Sequence, residues 1–215
     1  GFAILLSKWS KRRGKGKWKK SGKILVIATF HNPNWFNSHI KPLTMSGVDE
    51  VILVCDSPVL QMQGVHYACP PKLFSKIMSR ALAKFLWALI FGYRYRPDLY
   101  MGYHIFPAAV SALIAARLFN RPACYQDTSG PVELEGGGWK AENRILNALG
   151  RTSHFIERLC FSTVREFDLV VVRGSNSEKF IRQLGYQRKL AIITGSIEIQ
   201  EKWTPVSDRP VDMVF

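Results

Sequence analysis

The stretch Lys23-Ile-Leu-Val-Ile-Ala-Thr29 decides the fold. It is a continuous apolar run without polar–apolar alternation, the pattern of a strand buried on both faces of a parallel sheet. Working outward, Val51-Ile-Leu-Val-Cys55, Leu99 to Tyr103, Ala123 to Gln126, Phe167-Asp-Leu-Val-Val-Val172 and Leu190 to Thr194 read as further strands, and Val65 to Ala68 as a weaker one. Helical signals fall between them. A short helix runs to about Met45. Phe74, Ile77, Met78, Ala81, Leu82, Phe85 and Leu89 recur at helical spacing and predict one helix over Lys72 to Phe91. Pro107 to Phe119 reads as a helix of small residues, helix signals return between Lys140 and Val164, and Ser177 to Leu184 forms a helix stopped by Gly185. Strand alternating with helix predicts a Rossmann-like α/β fold, a parallel sheet with helices on both faces. Such sheets bind ligands beyond the C-terminal ends of their strands. The loops to watch are therefore 30–39, 56–58, 103–107, 126–138, 173–177 and 195–198.

Composition sets the class. The 215 residues are 47% hydrophobic and 21% charged, the mix of a globular chain rather than a disordered one. The formal charge of +14 is uneven. Residues 1–23 hold nine Lys and Arg and no acid, which sets off a basic N-terminal arm, 1–22, from the domain at 23–203. Cys55, Cys69, Cys124 and Cys160 lie far apart with no Cys-x-x-Cys pair, against a zinc site and a disulfide scaffold. A reduced, cytoplasmic compartment is the simplest expectation. No apolar run reaches the length that spans a bilayer. Thr204 to Pro210 reads as a linker and Val211 to Phe215 as the first strand of a second domain, so the expectation for 204–215 is an interdomain linker and the first strand of a missing C-terminal domain. A strand completing the same sheet is the alternative.

Several segments in order resemble the N-terminal domain of GT-B glycosyltransferases, in particular the large retaining group called family four. They are the first strand Lys23–Thr29, Arg96-Pro-Asp-Leu-Tyr100 with Tyr103 and His104, Phe167-Asp-Leu-Val-Val-Val172 with Ser175, Leu184-Gly-Tyr186, and Leu190-Ala-Ile-Ile-Thr-Gly-Ser-Ile-Glu198. The resemblance covers about 23–215 and implies an acceptor-side domain facing a second domain that binds the sugar nucleotide. The chain departs from the family pattern in three places. His31-Asn-Pro-Asn-Trp-Phe-Asn37 stands where a Gly-Gly pair would follow the first strand, Thr128 stands where a His is usual, and Thr194 replaces an Asn. No two glutamates are separated by seven residues, so the family's donor-gripping Glu pair would have to come from the other domain.

The resemblance implies a nucleotide sugar and a glycan or lipid-linked acceptor as partners, with no cofactor and no metal. Retaining transfer needs a positioned acceptor hydroxyl and groups that hold the sugar and its leaving diphosphate. His104 and Asp127 are the expected catalytic groups. His31, Asn32, Asn34, Trp35, His39, Thr128, Ser129 and Gly130 would line the acceptor side, with polar groups for sugar hydroxyls and the Trp35 ring for stacking. Arg173 and Ser175 would face phosphate on the donor side. Gly136-Gly-Gly138 reads as a flexible loop; it lacks the features of a P-loop.

Basic and aromatic residues around the apolar segment Lys72–Arg96, with an apolar ridge at Phe85–Phe91, suit an anionic membrane surface, and the expected location is peripheral to the membrane. The alternatives are a non-enzymatic basic module binding membrane or nucleic acid, or another GT-B-shaped enzyme such as a sugar-nucleotide epimerase. No nucleic-acid motif is present, and nucleic acid is not an expected partner.

Overall fold

The computed structural model describes residues 22–193 apart from 142, 143 and 149. The basic arm, the linker, the segment Val211–Phe215, Thr194 and loop 195–198 lie outside the described residues. Among the described residues seven strands make one sheet: β1 (Lys23–Ile27), β2 (Glu50–Val54), β3 (Val65–Ala68), β4 (Leu99–Tyr103), β5 (Ala123–Gln126), β6 (Leu169–Val172) and β7 (Lys189–Ile192). Their spatial order is β3-β2-β1-β4-β5-β6-β7, and every pairing is parallel. This is the Rossmann-like sheet expected from the apolar runs. The order reverses between β1 and β4, which opens a crevice beyond their C-terminal ends.

The lack of alternation in the strands has a direct cause, since both faces of the sheet are dry. Leu25, Ile27, Ile52, Val54, Tyr100, Tyr125, Val170 and Val172 point into one core; Val26, Val51, Leu53, Met101, Tyr103, Cys124 and Val171 point into the other. The helices are α1 (Pro33–Met45), α2 (Lys72–Met78), α3 (Arg80–Tyr95), α4 (Val110–Leu118), α5 (Arg144–Asn147), α6 (His154–Val164) and α7 (Ser175–Gln183). Phe36 and Ile40 of α1 enter the second core. Ala88 of α3, Ala112, Leu113, Ala115 and Ala116 of α4, Val164 of α6 and Ile181 of α7 enter the first.

The expected single helix over Lys72–Phe91 is two. Ser79 sits at φ 75°, ψ 150°, which ends α2, and its Oγ accepts the Leu82 N–H at 3.4 Å to start α3. The apolar spacing runs across the break unchanged, so periodicity alone could not reveal it. The ridge Phe85–Phe91 also differs from expectation. Trp87, Leu89 and Phe91 pack on the first core while Ile90 stays half exposed, and further exposed apolar surface lies on α2, where Leu73 is 65% and Ile77 73% exposed.

The helix expected from Pro107 begins only at Val110; a cis Phe106–Pro107 peptide and a wide turn precede it. Gly102 makes that turn possible, because a Cβ there would lie 2.3 Å from the Ala109 Cα.

Aspartates just ahead of two strands lock neighbouring chain ends. Asp98 Oδ2 accepts the Lys23 N–H at 3.1 Å. Asp168 Oδ2 accepts from Ala123 N–H at 3.0 Å and pairs with Arg117 at 2.6 Å. No helix among the described residues is long and apolar enough to cross a membrane.

Candidate functional site at the C-terminal edge of the sheet

The switch between β1 and β4 places α1, the end of β4 and the loop after β5 around one crevice. Asn32 caps α1 by accepting the Asn34 N–H at 2.8 Å, and Pro33 opens the helix without needing a donor. One turn in, Trp35 and His39 face the end of β4. Their rings meet edge-on at 5.0 Å between centroids; Trp35 lies 6.0 Å from the His104 ring, and His39 5.2 Å from Tyr103. Phe30 backs this group, 5.2 Å from Trp35 and 5.4 Å from Tyr103.

His104 terminates β4 at φ 60°, a left-handed conformation unusual for a residue with a Cβ. Such strain persists only where surroundings enforce it, and it clusters at functional sites. Backbone and side-chain contacts enforce it. The His104 N–H donates to Gln126 O at 3.3 Å, and His104 O accepts from Ala109 N–H at 3.0 Å. Its Nδ1 lies 2.9 Å from Thr128 Oγ1 and 3.5 Å from Glu133 Oε2.

Glu133 is the residue that sequence reasoning missed. Its carboxylate has no solvent exposure. It accepts the Ile105 N–H, and the Thr128 N–H and hydroxyl lie 3.5 and 3.4 Å from Oε2. The one signal was a single acid between Val132 and Leu134 in a Gly-rich loop at a strand end. The glycines serve that placement. Gly137 and Gly138 are buried, and a Cβ on Gly138 would sit 2.5 Å from Glu133 O. The flexible loop expected at Gly136–Gly138 is therefore a packed support.

Asp127 lies beneath the crevice at 1% exposure, and its Oδ1 accepts the Gly130 N–H at 2.9 Å. Burial first, and then the negative charge of Glu133, push its pKa up to about 7, while N–H groups of Gly130 and Ser129 and the His104 charge pull the other way. Burial pushes His39 down to about 4, assisted by the charges of Arg173 and His104. At neutral pH His39 is thus an uncharged imidazole beside a cation.

The structure brings together Trp35, His39, His104, Asp127, Thr128 and, through its charge on His39, Arg173. Ser129 and Gly130 serve through their backbone. His31, Asn32 and Asn34 are exposed around the start of α1, and Ser175 is exposed as the first residue of α7.

A second polar cluster lies at the ends of β1 and β2. Lys84 is 8% exposed; its Nζ meets Asp56 Oδ2 at 2.9 Å and donates to Thr29 Oγ1. Lys84, one of the basic residues of the Lys72–Arg96 segment expected at a membrane surface, is instead turned inward and ties α3 to the sheet. Among the described residues, no group of three or more His, Cys, Asp or Glu stands together as a metal site.

No family model and no curated protein matches the chain. Among solved structures, sucrose-phosphate synthase from Thermosynechococcus elongatus is similar to it, with a TM-score of 0.53 and 11% identity over 80% of this chain and 47% of that one. UDP-GlcNAc 2-epimerase from Methanocaldococcus jannaschii gives 0.48 and 9% over 79% and 45%. The chain spans about half the length of these structures. The likeness shows the fold, a Rossmann-like domain of GT-B-like type.

Proposed function

We propose that the chain is the acceptor-side domain of a retaining glycosyltransferase that moves a sugar from a nucleotide sugar to a glycan or lipid-linked acceptor. The observation that carries this reading is the strained, well-anchored His104 at the switch-point crevice, facing the Trp35 ring and neutral His39. Trp35 offers an aromatic face for a sugar ring, and the two imidazoles offer hydrogen bonds to its hydroxyls. Arg173 supplies positive charge at the side where a leaving diphosphate would lie. A facing domain would provide the donor grip, because this chain has no glutamate pair of the family spacing.

We place the domain at an anionic membrane surface. The chain from Ser57 to Pro97 contains no Asp or Glu. Along it α2 has no buried residue, so Leu73, Phe74 and Ile77 stand beside exposed Lys72, Lys76 and Arg80. Apolar side chains ringed by cations suit the interfacial zone of an anionic bilayer.

The test is calorimetry of residues 1–215 with a panel of UDP-, GDP- and dTDP-sugars. An acceptor-side domain alone binds them with Kd no better than about 1 mM, roughly −4 kcal/mol. Micromolar binding would put the donor site here and invert the assignment.

A further inference from the structure

We propose that Glu133 is the positioning residue of His104. Its buried carboxylate, acting through the Thr128 hydroxyl, fixes the imidazole with the proton on Nδ1 and makes Nε2 the nitrogen that accepts a hydrogen bond from the acceptor hydroxyl. The role assigned to Nε2 rests on the acceptor-side reading; the coupling of Glu133 to His104 does not.

A carboxylate with no solvent exposure is retained only when donors converge on it. Here they are the Ile105 N–H, the Thr128 N–H and the Thr128 hydroxyl, with the buried Tyr125 hydroxyl close beside them. A hydroxyl has one proton to give. If Thr128 gives it to Glu133, its oxygen is left to accept, and the His104 Nδ1 at 2.9 Å is the donor placed to use it. The direct approach of Nδ1 to Glu133 Oε2, 3.5 Å, favours the same proton position. The competing arrangement has the Thr128 hydroxyl donating to Nδ1 instead; it takes that proton away from Glu133 and puts the ring proton on Nε2.

The surroundings of His104 are mixed in charge. His39 faces it from α1, with Arg173 beyond it at the end of β6, and Asp127 and Glu133 lie at the β5 side. Glu133 is the acid in direct reach of the ring, and its charge favours the imidazolium.

Nitrogen-15 NMR of the five histidines in the labelled 215-residue chain tests this, with His104→Gln giving the assignment. The expected wild-type signature at pH 7.5 is the Nδ1–H tautomer of His104. Glu133→Gln should drop the His104 titration midpoint by at least one pH unit and mix the tautomers. Should that variant fail to fold, Thr128→Ser and Thr128→Val decide: Ser keeps the tautomer and Val loses it. An Nε2–H tautomer in the wild type overturns the proposal, as does a His104 tautomer indifferent to Glu133→Gln or the same in the Ser and Val variants. No sugar enters the measurement, so failure of the transferase reading leaves its outcome unchanged.

Discussion

At the scale of single residues, two buried groups of the crevice titrate in opposite senses. Asp127 has its pKa raised from 3.8 to about 7, so between those values the folded state holds a proton that the unfolded chain has lost. Its contribution to stability is complete below pH 4 and disappears as pH rises to 7. His39 has its pKa lowered from 6.5 to about 4, so its contribution is complete above pH 6.5 and is lost as pH falls to 4. The two slopes oppose each other across pH 4–6.5. Urea unfolding of Asp127→Asn should therefore show stability rising with pH over that window, by at most about 1.4 kcal/mol per pH unit, the value for one proton. His39→Gln should show the reverse, and identical pH profiles for wild type and both variants would contradict these assignments. His104 and Asp127 were legible as candidates because each sits just past a strand end that apolar runs locate, and Trp35 and His39 because they fall in the segment that follows the first strand. Glu133 was not, because an acid in a Gly-rich loop looks solvated until the fold shows Ile105 and Thr128 closing over it.

At the scale of elements, the anchoring of β4, α3 and α4 makes two predictions. Gly102→Ala would drive a Cβ into the backbone of Ala109, where no side chain can swing away. It should destabilise by about 3 kcal/mol, the upper range for overpacking, and displace the His104 turn. A variant with wild-type urea midpoint would show that this turn has room to move. Lys84→Met should cost about 2 kcal/mol, less than the 3–5 of a fully buried broken pair because the Asp56 side chain is 27% exposed. Adding Asp56→Asn should recover part of that loss, and simple additivity in the double-mutant cycle would show the pair to be uncoupled. The break at Ser79 leaves no mark on the apolar pattern, which predicts a single helix before β4. Hydrophobic spacing reports which side chains share one helix face, and that spacing continues across the break although α3 packs on the core and α2 has no buried residue. Backbone conformation at one serine carries no such signal. The late start of α4 has the same origin, since Pro107 is a good first residue of a helix yet here lies in the turn beneath His104.

At the scale of the whole molecule, the parallel direction of the strands followed from continuous apolar runs separated by helices, which leave a parallel, doubly covered sheet as the fitting arrangement; the strand order came from the structure. The location of the outer surface did not follow from those runs, because apolar residues of α2 and α3 share one period while α3 packs on the core and α2 does not. The exposed face on α2 makes the membrane prediction specific. Binding to anionic vesicles should fall with salt and weaken when Leu73, Phe74 and Ile77 become Ser, while Trp87→Ser should act through folding; equal binding to neutral vesicles would contradict it. The acceptor-side reading is tested most directly by turnover of the intact protein that contains this chain. Supplied with labelled nucleotide sugars and its membrane extract, it should release nucleotide and transfer label to a glycan or glycolipid. His104→Ala should keep the fold and lower turnover by about 100-fold, in line with losing one positioned polar group in such a site. Release that is unchanged in His104→Ala, or absent with every nucleotide sugar, would contradict the reading.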